Sequence, residues 1–276
     1  MEIGVVSYNM SWATQINKAL GSEADFVKEC KSLYKRGGIQ CTDNAVKQIG
    51  ELKNIHLMGI QEVNSDIEMK LKKVQPLLKS YERGDILNSQ GNTVSVSILF
   101  NPKIFGKVIK KYVFNLSNRK DTRPCLMIYT ENNFLLINLH SPWENEKLPE
   151  ILSKKLSGNN PIAKHIHDNT KIIVMGDFND DKCLLTKSKP LIIHIKDKKI
   201  IVKHNKTKKQ LQTEIKSCCW HEKDHKYGHF DSPGDYILTN KHVKQLSMFI
   251  PPNFNKIQRK KTLFSDHKPV MSIIKI

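Results

Sequence analysis

The chain has 276 residues, 39% of them hydrophobic, and 45 Lys and Arg against 27 Asp and Glu give it a formal net charge of +18. That length can bury the core of one large domain or two small ones. A mean hydropathy of −0.45, with no apolar run near the ~18 residues of a membrane span, excludes a helical membrane protein, and the charge points to polyanionic partners, nucleic acid first and anionic membrane headgroups second.

In chain order, residues 3–8 form a β-type run ending at Asn9. Residues 23–35 and 43–53 read as helices. The second has Asp43 as its expected N-cap and Ala45, Val46, Ile49 and Leu52 as its buried stripe. Residues 57–60 read as a buried strand that stops at Gln61 and Glu62, residues 68–79 as a helix, and residues 94–100 as a strand closed by Asn101-Pro102. Residues 126–130 and 134–139 flank Glu131-Asn132-Asn133 as a hairpin. Residues 145–156 read as a helix and residues 172–175 as a buried strand with Gly176 at its end. A second hairpin pairs residues 192–195 with 200–202 around Asp197-Lys198, and residues 236–238 and 270–276 are the last strands. No repeat and no Ser/Gly-rich linker divides the chain. Residues 1–276 are therefore read as one α/β domain of two mixed sheets with helices outside, carrying a Lys-rich excursion at about 181–216.

The six cysteines, at 30, 41, 125, 183, 218 and 219, show no spacing that suggests a disulfide framework. The N-terminus opens on a strand-like run rather than a basic segment followed by an apolar one. The expectation is an intracellular protein, cytoplasmic or nuclear, without a signal peptide. Cys218, Cys219, His221, His225 and His229 crowd one segment, but their spacing matches no closed zinc site. They read as a loop flanking a site.

The chemistry-bearing residues stand where strands stop or start. The first run stops at Asn9, residues 57–60 at Glu62, residues 134–139 at His140, and residues 172–175 at Asp177 and Asn179; strands begin after Asp235 and after Asp266-His267. Each residue alone is an ordinary turn former. Brought to one edge they make a cluster of acids, amides and two histidines. That inventory suits metal-assisted phosphoester hydrolysis: Mg²⁺ needs only one or two carboxylates, and a histidine oriented by a buried Asp handles a proton.

In that order, Ser7-Tyr8-Asn9, Gln61-Glu62-Val63, Arg123-Pro124, Asn138-Leu139-His140-Ser141-Pro142, Gly176-Asp177-Phe178-Asn179, Asp235-Tyr236-Ile237-Leu238 and Ser265-Asp266-His267-Lys268-Pro269-Val270 resemble the motifs of the endonuclease/exonuclease/phosphatase superfamily, and within it those of deoxyribonuclease I. The resemblance covers nearly the whole chain. It implies a four-layer α/β sandwich with two mixed, mainly antiparallel sheets packed face to face. It also implies a divalent-metal site of Glu62, Asn9 and Asp266 for Mg²⁺, with Mn²⁺ as a substitute. His267 matches the histidine beside the scissile phosphate and Asp235 the acid that orients it. Asp177 and Asn179 match the pair that positions water and phosphate, His140 the second histidine, and Arg123 an arginine that contacts substrate phosphate. Two departures stand out. The relatives place a Glu near residues 94–100 to partner the second histidine, where this chain offers Thr93, Val94 and Ser95. Their structural disulfides and secretory signal are also not matched.

The expected activity is hydrolysis of nucleic-acid phosphodiesters, DNA before RNA, by in-line attack of water and by a monomer. Trp143, just past His140, is a candidate base-stacking residue. The alternatives are hydrolysis of inositol phosphates, phosphoinositides or another small phosphoester, and a catalytically inactive binding module.

Overall fold

Two sheets packed face to face form the computed structural model, which describes all residues except 20, 118–121, 143–147, 158–160, 180–190, 197–198, 205–214, 222–228, 233 and 256–263. The first sheet contains β1 (Glu2–Asn9), β2 (Ile55–Gln61), β3 (Ser80–Leu87), β4 (Thr93–Phe100), β14 (Lys244–Phe249) and β15 (Val270–Lys275), in the order β14-β15-β1-β2-β4-β3. The second contains β5 (Val108–Asn115), β6 (Pro124–Thr130), β7 (Phe134–His140), β8 (Lys171–Asp177) and β13 (Asp235–Thr239), in the order β13-β8-β7-β6-β5. Two separate hairpins pair β9 (Leu191–Lys196) with β10 (Lys199–His204) and β11 (Cys218–His221) with β12 (His229–Ser232).

The layers follow from period-2 alternation on strands buried on both faces. On β1, Ile3 and Val5 enter the core between the sheets with Leu57, Val96, Ile98 and the second sheet's Leu126, Ile137 and Val174. Val6 and Tyr8 turn the other way, onto Ala45, Val46 and Ile49 of α3 (Gly38–Gly50) and Ile67 and Leu71 of α4 (Ser65–Val74). Leu152 and Leu156 of α5 (Leu148–Ser157) join the core from the outer face of the second sheet. Helices outside two packed sheets are the expected four-layer sandwich. The chain between β1 and α3 adds α1 (Trp12–Gln15) and α2 (Ala24–Leu33).

Near the site the sheets approach closely at Gly59. A Cβ there would lie 2.9 Å from Asn138 Oδ1 and 2.9 Å from Met175 Cβ, so a larger residue would displace the buried amide. Asn138 ties the sheets together: its Nδ2 donates to the carbonyls of Ile60 and Ser97, both at 2.8 Å, and its Oδ1 accepts from Gln61 Nε2.

Several expectations are corrected. Asp43 does not cap a helix: α3 begins at Gly38, with Gly37 at the N-cap (φ 53). The buried Cys41 and Thr42 extend its apolar stripe backwards. Asp43 instead pairs with Arg36 and Lys70, each at 2.8 Å. α4 starts earlier, where the Asn64 side chain accepts from Ile67 N. It stops at Val74 because Gln75 precedes Pro76, which disfavours helix at that position. The sequence reading did not include β3, β5, β11, β12 or β14.

The absence of a disulfide framework is also overturned. Cys30 on α2 and Cys41 on α3 are bonded, 11 residues apart, because the two helices fold back on each other. Cys218 is disulfide-bonded as well. The cysteine argument for a reducing compartment therefore falls. Most of the Lys-rich excursion lies outside the described residues, and so does His225. No helix among the described residues is long and apolar enough to cross a membrane.

Candidate active site

Strand direction brings the polar ends together. β1 and β2 run parallel, so Asn9 registers with Gln61. β7 and β8 also run parallel, so His140 registers with Asp177. β13 and β15 run antiparallel to β8 and β1, and their first residues arrive at that same edge: Asp235 pairs with Asp177 and Val270 with Ser7. Six strand ends thus converge, as the sequence suggested. At the edge the backbone turns sharply, and Ser11 (φ 55), Glu62 (φ 53) and Asn179 (φ 49) all adopt the left-handed conformation. Three bulky or polar residues in that region at one site indicate backbone strain held by the surrounding contacts.

Asp177 is the hub, with 1% of its surface exposed. Its Oδ2 accepts from Asn9 Nδ2 at 2.9 Å and its Oδ1 from Asn179 N at 2.8 Å. Asn179 Nδ2 donates to Ser141 O at 2.6 Å, which pins the β8 turn to the end of β7. Two imidazoles face the same oxygen: His267 Nε2 at 3.6 Å and His140 Nε2 at 3.7 Å. The remaining nitrogen of His267, Nδ1, lies 2.9 Å from Asp235 Oδ2. Burial disfavours its imidazolium, but Asp235, Asp177 and Asp266 outweigh burial and raise the pKa well above the usual imidazole range. His267 is therefore charged. Asp177 is pushed up, mainly by burial, with His267 opposing and Asp235 reinforcing the shift.

His140 is held in the opposite state. Burial first, then the charges of Arg123 and His267, push its pKa well below the usual range. Its Nε2 contacts Arg123 Nη1. An arginine only donates, so Nε2 accepts and the ring proton sits on Nδ1. That atom is buried and has no hydrogen-bond partner among the described residues. The acidic partner expected near residues 94–100 is missing, as the sequence implied. Ser95 Oγ is instead 2.7 Å from Arg83 and 2.6 Å from Asp85.

Beside Asp177 lies a carboxylate pocket. Glu62 Oε2 accepts from Trp12 N at 2.9 Å, and Asn9 Nδ2 reaches Glu62 Oε1 at 3.5 Å. Asn9 thus braces Glu62 against Asp177. Gln15 fixes the turn that carries Glu62: its Nε2 donates to Glu62 O and its Oε1 accepts from Asn64 N. Glu23, from the chain between α1 and α2, joins through Ser11 Oγ and through Ala13 N at 3.0 Å. Burial, then Glu62 and Asp266, raise the Glu23 carboxyl to about 9. Burial and Glu62 raise Asp266 to about 6, against the favourable charge of His267. Glu62, Glu23 and the buried Asp266 together are an oxygen-only donor set short of positive charge, with Glu23 and Asp266 raised by it. Such a set fits a hard divalent cation on Glu62 and Asp266. Asp177, Asp235 and His267 also present ligand atoms within 4.8 Å of one another, a second set able to hold an ion. There, however, His267 already shares its Nδ1 with Asp235.

Asn9, Glu62, Arg123, His140, Asp177, Asn179, Asp235, Asp266 and His267 therefore all lie at one edge, while Trp143 lies outside the described residues. Sequence reasoning missed Glu23, Gln15 and Trp12, which come from the chain between β1 and α3. A cavity of about 800 Å³ opens from Glu62, Arg123 and His140 and is lined by Trp12 and by the turn between β3 and β4.

No protein-family model matches this sequence, and no curated protein matches it. Solved structures do match along the whole chain. An endonuclease/exonuclease/phosphatase protein from Bacteroides vulgatus is 13% identical, with 100% of this chain and 99% of that one covered and a TM-score of 0.58. A mannosyl-6-phosphatase from Bacteroides thetaiotaomicron is 16% identical, with 99% and 100% covered and a TM-score of 0.58. TDP2 from D. rerio, complexed with a single-strand DNA product, is 13% identical, with 100% and 99% covered and a TM-score of 0.54. The chain has the endonuclease/exonuclease/phosphatase fold.

Proposed function

We propose that this chain is a divalent-metal-dependent phosphodiesterase of the deoxyribonuclease I-like type that hydrolyses nucleic acid, DNA before RNA. The observation that carries the reading is Asp177 Oδ2, held by Asn9 at 2.9 Å and faced by His267 at 3.6 Å and His140 at 3.7 Å. That places a carboxylate of raised pKa where it can take a proton from water, next to an imidazolium. Glu62 and Asp266, with the Asn9 amide beside them, would hold Mg²⁺ or Mn²⁺, which supplies charge neutralisation at the phosphate.

The protein's own residues do the rest. Asp177 Oδ2 accepts the proton of the attacking water, and Asn179 keeps the carboxylate aimed through its backbone N–H. His267 donates from Nε2 to a phosphate oxygen as charge accumulates there, and Asp235 keeps that ring charged and oriented. Arg123 offers its guanidinium to the phosphate. His140, neutral and with Nε2 as an acceptor, positions Arg123. The P–O bond opposite the attacking water breaks, and because His140 does not protonate the leaving oxygen from this state, that oxygen takes its proton from solvent. A catalytically inactive module would not keep this complete set poised.

The net charge of +18 and the likeness to TDP2 bound to a single-strand DNA product support nucleic acid over a small phosphoester. The likeness to a mannosyl-6-phosphatase favours the second reading, a phosphatase of small phosphoesters. Purified protein is assayed with Mg²⁺, Mn²⁺ or EDTA on labelled single-stranded, duplex, abasic and RNA oligonucleotides, beside an inositol phosphate and mannose 6-phosphate. EDTA-sensitive cleavage of DNA is expected. Turnover confined to the small phosphates would overturn the nuclease reading.

A further inference from the structure

The cavity beside Glu62 has chemistry that phosphate binding alone does not require. At about 800 Å³ it is of a size that holds an organic group rather than an ion. Its lining sets Lys18 and Arg123 against Glu62, while the Glu23 carboxyl, raised to about 9, is protonated at neutral pH. His140 adds no charge, because it is held neutral. A ligand rich in phosphates would need more than the one cation this lining has in excess, and an acyl chain would need more aliphatic wall than Ile16 and Val94 supply. The walls offer neither.

They offer one aromatic ring and free amides. Trp12, half-buried, lines the cavity immediately after β1, and its backbone N–H is already committed to Glu62. Across from α1 the lining comes from the β3–β4 turn. Asn88 Oδ1 accepts from Gln90 N at 3.0 Å and Asn92 N at 2.8 Å, and Asn88 N donates to Asn92 O at 2.8 Å. Gly91 (φ +76) completes the ring of contacts by donating its N–H to Asn88 O at 3.0 Å. This turn is closed before any ligand arrives. The side-chain amides of Gln90 and Asn92 have no hydrogen-bond partner among the described residues. An indole face with carboxamides on a preformed turn suits a flat, neutral heterocycle with donors and acceptors on its edge.

We infer that Trp12 and the 88–92 turn form a subsite for the base of an unpaired nucleotide next to the scissile phosphate. The inference rests on the nuclease reading and adds to it the strand state of the substrate. A base can stack on Trp12 only after leaving its own stack, which costs least in single strands and at frayed ends. A sugar phosphate is the competing occupant; the net charge of +18 favours a polyanionic strand over it.

The test uses one single-stranded oligonucleotide with a run of four abasic residues between base-bearing runs. Cleavage in the two kinds of run is compared within the same reaction. The wild-type chain is expected to cut the base-bearing phosphates about 5- to 150-fold faster, the worth of one base–aromatic stack. Trp12→Ala brings that ratio near one, Trp12→Phe retains part of it, and Gln90→Ala with Asn92→Ala lowers it. A purely structural role for Trp12 would slow cleavage everywhere and leave the ratio unchanged. A wild-type ratio of one, or an unchanged ratio in Trp12→Ala, overturns the subsite while the nuclease reading stands. No cleavage of any strand, with turnover of mannose 6-phosphate, overturns both.

Discussion

Asp235→Asn separates the charge of the Asp235–His267 pair from its geometry. Asp235 is fully buried, and its Oδ2 lies 2.9 Å from His267 Nδ1. The amide keeps an acceptor for the ring N–H and removes the negative charge. Opposite charges about 4 Å apart interact by roughly 4 kcal/mol at an effective dielectric of ~20, which corresponds to about 3 pKa units. Asp177, 3.6 Å from Nε2, and Asp266 remain to hold the imidazolium, so the His267 pKa falls but stays supported by two carboxylates. His267 must be protonated to donate to the phosphate. Activity is therefore present below its folded pKa and lost as pH rises through it. Lowering that pKa moves the loss to lower pH. Single-turnover cleavage of a labelled oligonucleotide is measured from pH 5 to 10 at saturating Mg²⁺. The variant's alkaline limb should lie at lower pH than the wild-type limb, with the rate reduced by about 10²-fold or more at pH values where the variant's ring is neutral and the wild-type ring is charged. An alkaline limb that stays in place, with rates within threefold of wild type, refutes the charged role of His267.

Three further outcomes follow from the same geometry. Glu62→Gln should lower turnover by about 10²-fold and shift the Mg²⁺ activation midpoint at least tenfold upward; an unchanged midpoint removes Glu62 from the cation site. The metal-free protein should lose stability as pH rises from about 4 to 9. Asp266, raised to about 6, and Glu23, raised to about 9, bind protons more tightly folded than unfolded in that window. Calorimetry in EDTA should show the melting temperature falling across it, and saturating Mg²⁺ should flatten the slope; a rise in EDTA contradicts the carboxylate crowding. Asn138→Ala removes three buried hydrogen bonds between the sheets and should cost about 3–5 kcal/mol in urea unfolding, since each orphaned partner adds its own desolvation penalty; a loss below 1 kcal/mol rules out the amide as the tie between the sheets.

What the sequence made legible was whatever repeats a local pattern. Central strands such as residues 134–139 and 172–175 announce themselves as apolar runs, and each ends on the polar residue that serves the site. Parallel pairing of β1 with β2 and of β7 with β8 then suffices to bring Asn9, Glu62, His140 and Asp177 to one edge. Three of the four edge strands of the two packed sheets, β3, β5 and β14, gave no such signal. β3, Ser80–Leu87, puts Tyr81, Arg83, Asp85 and Leu87 on one face, all but Arg83 exposed, and carries Gly84, so its strand character comes from pairing with β4. The Cys30–Cys41 bond depends on two helices folding back, which no spacing encodes. Glu23, Gln15 and Trp12 stand in a non-periodic stretch, and only the path of the chain across the strand ends gives them a role. The division has a chemical consequence. The legible residues are those that would hold the cation, the phosphate and the water, which phosphoester hydrolysis needs whatever the substrate. Of the residues that were not legible, Trp12 and Glu23 line the cavity beside them, where the group attached to the phosphate must lie. Reaction class can therefore be read from strand ends alone, whereas substrate choice rests on Trp12 and the 88–92 turn, contacts that exist only through space.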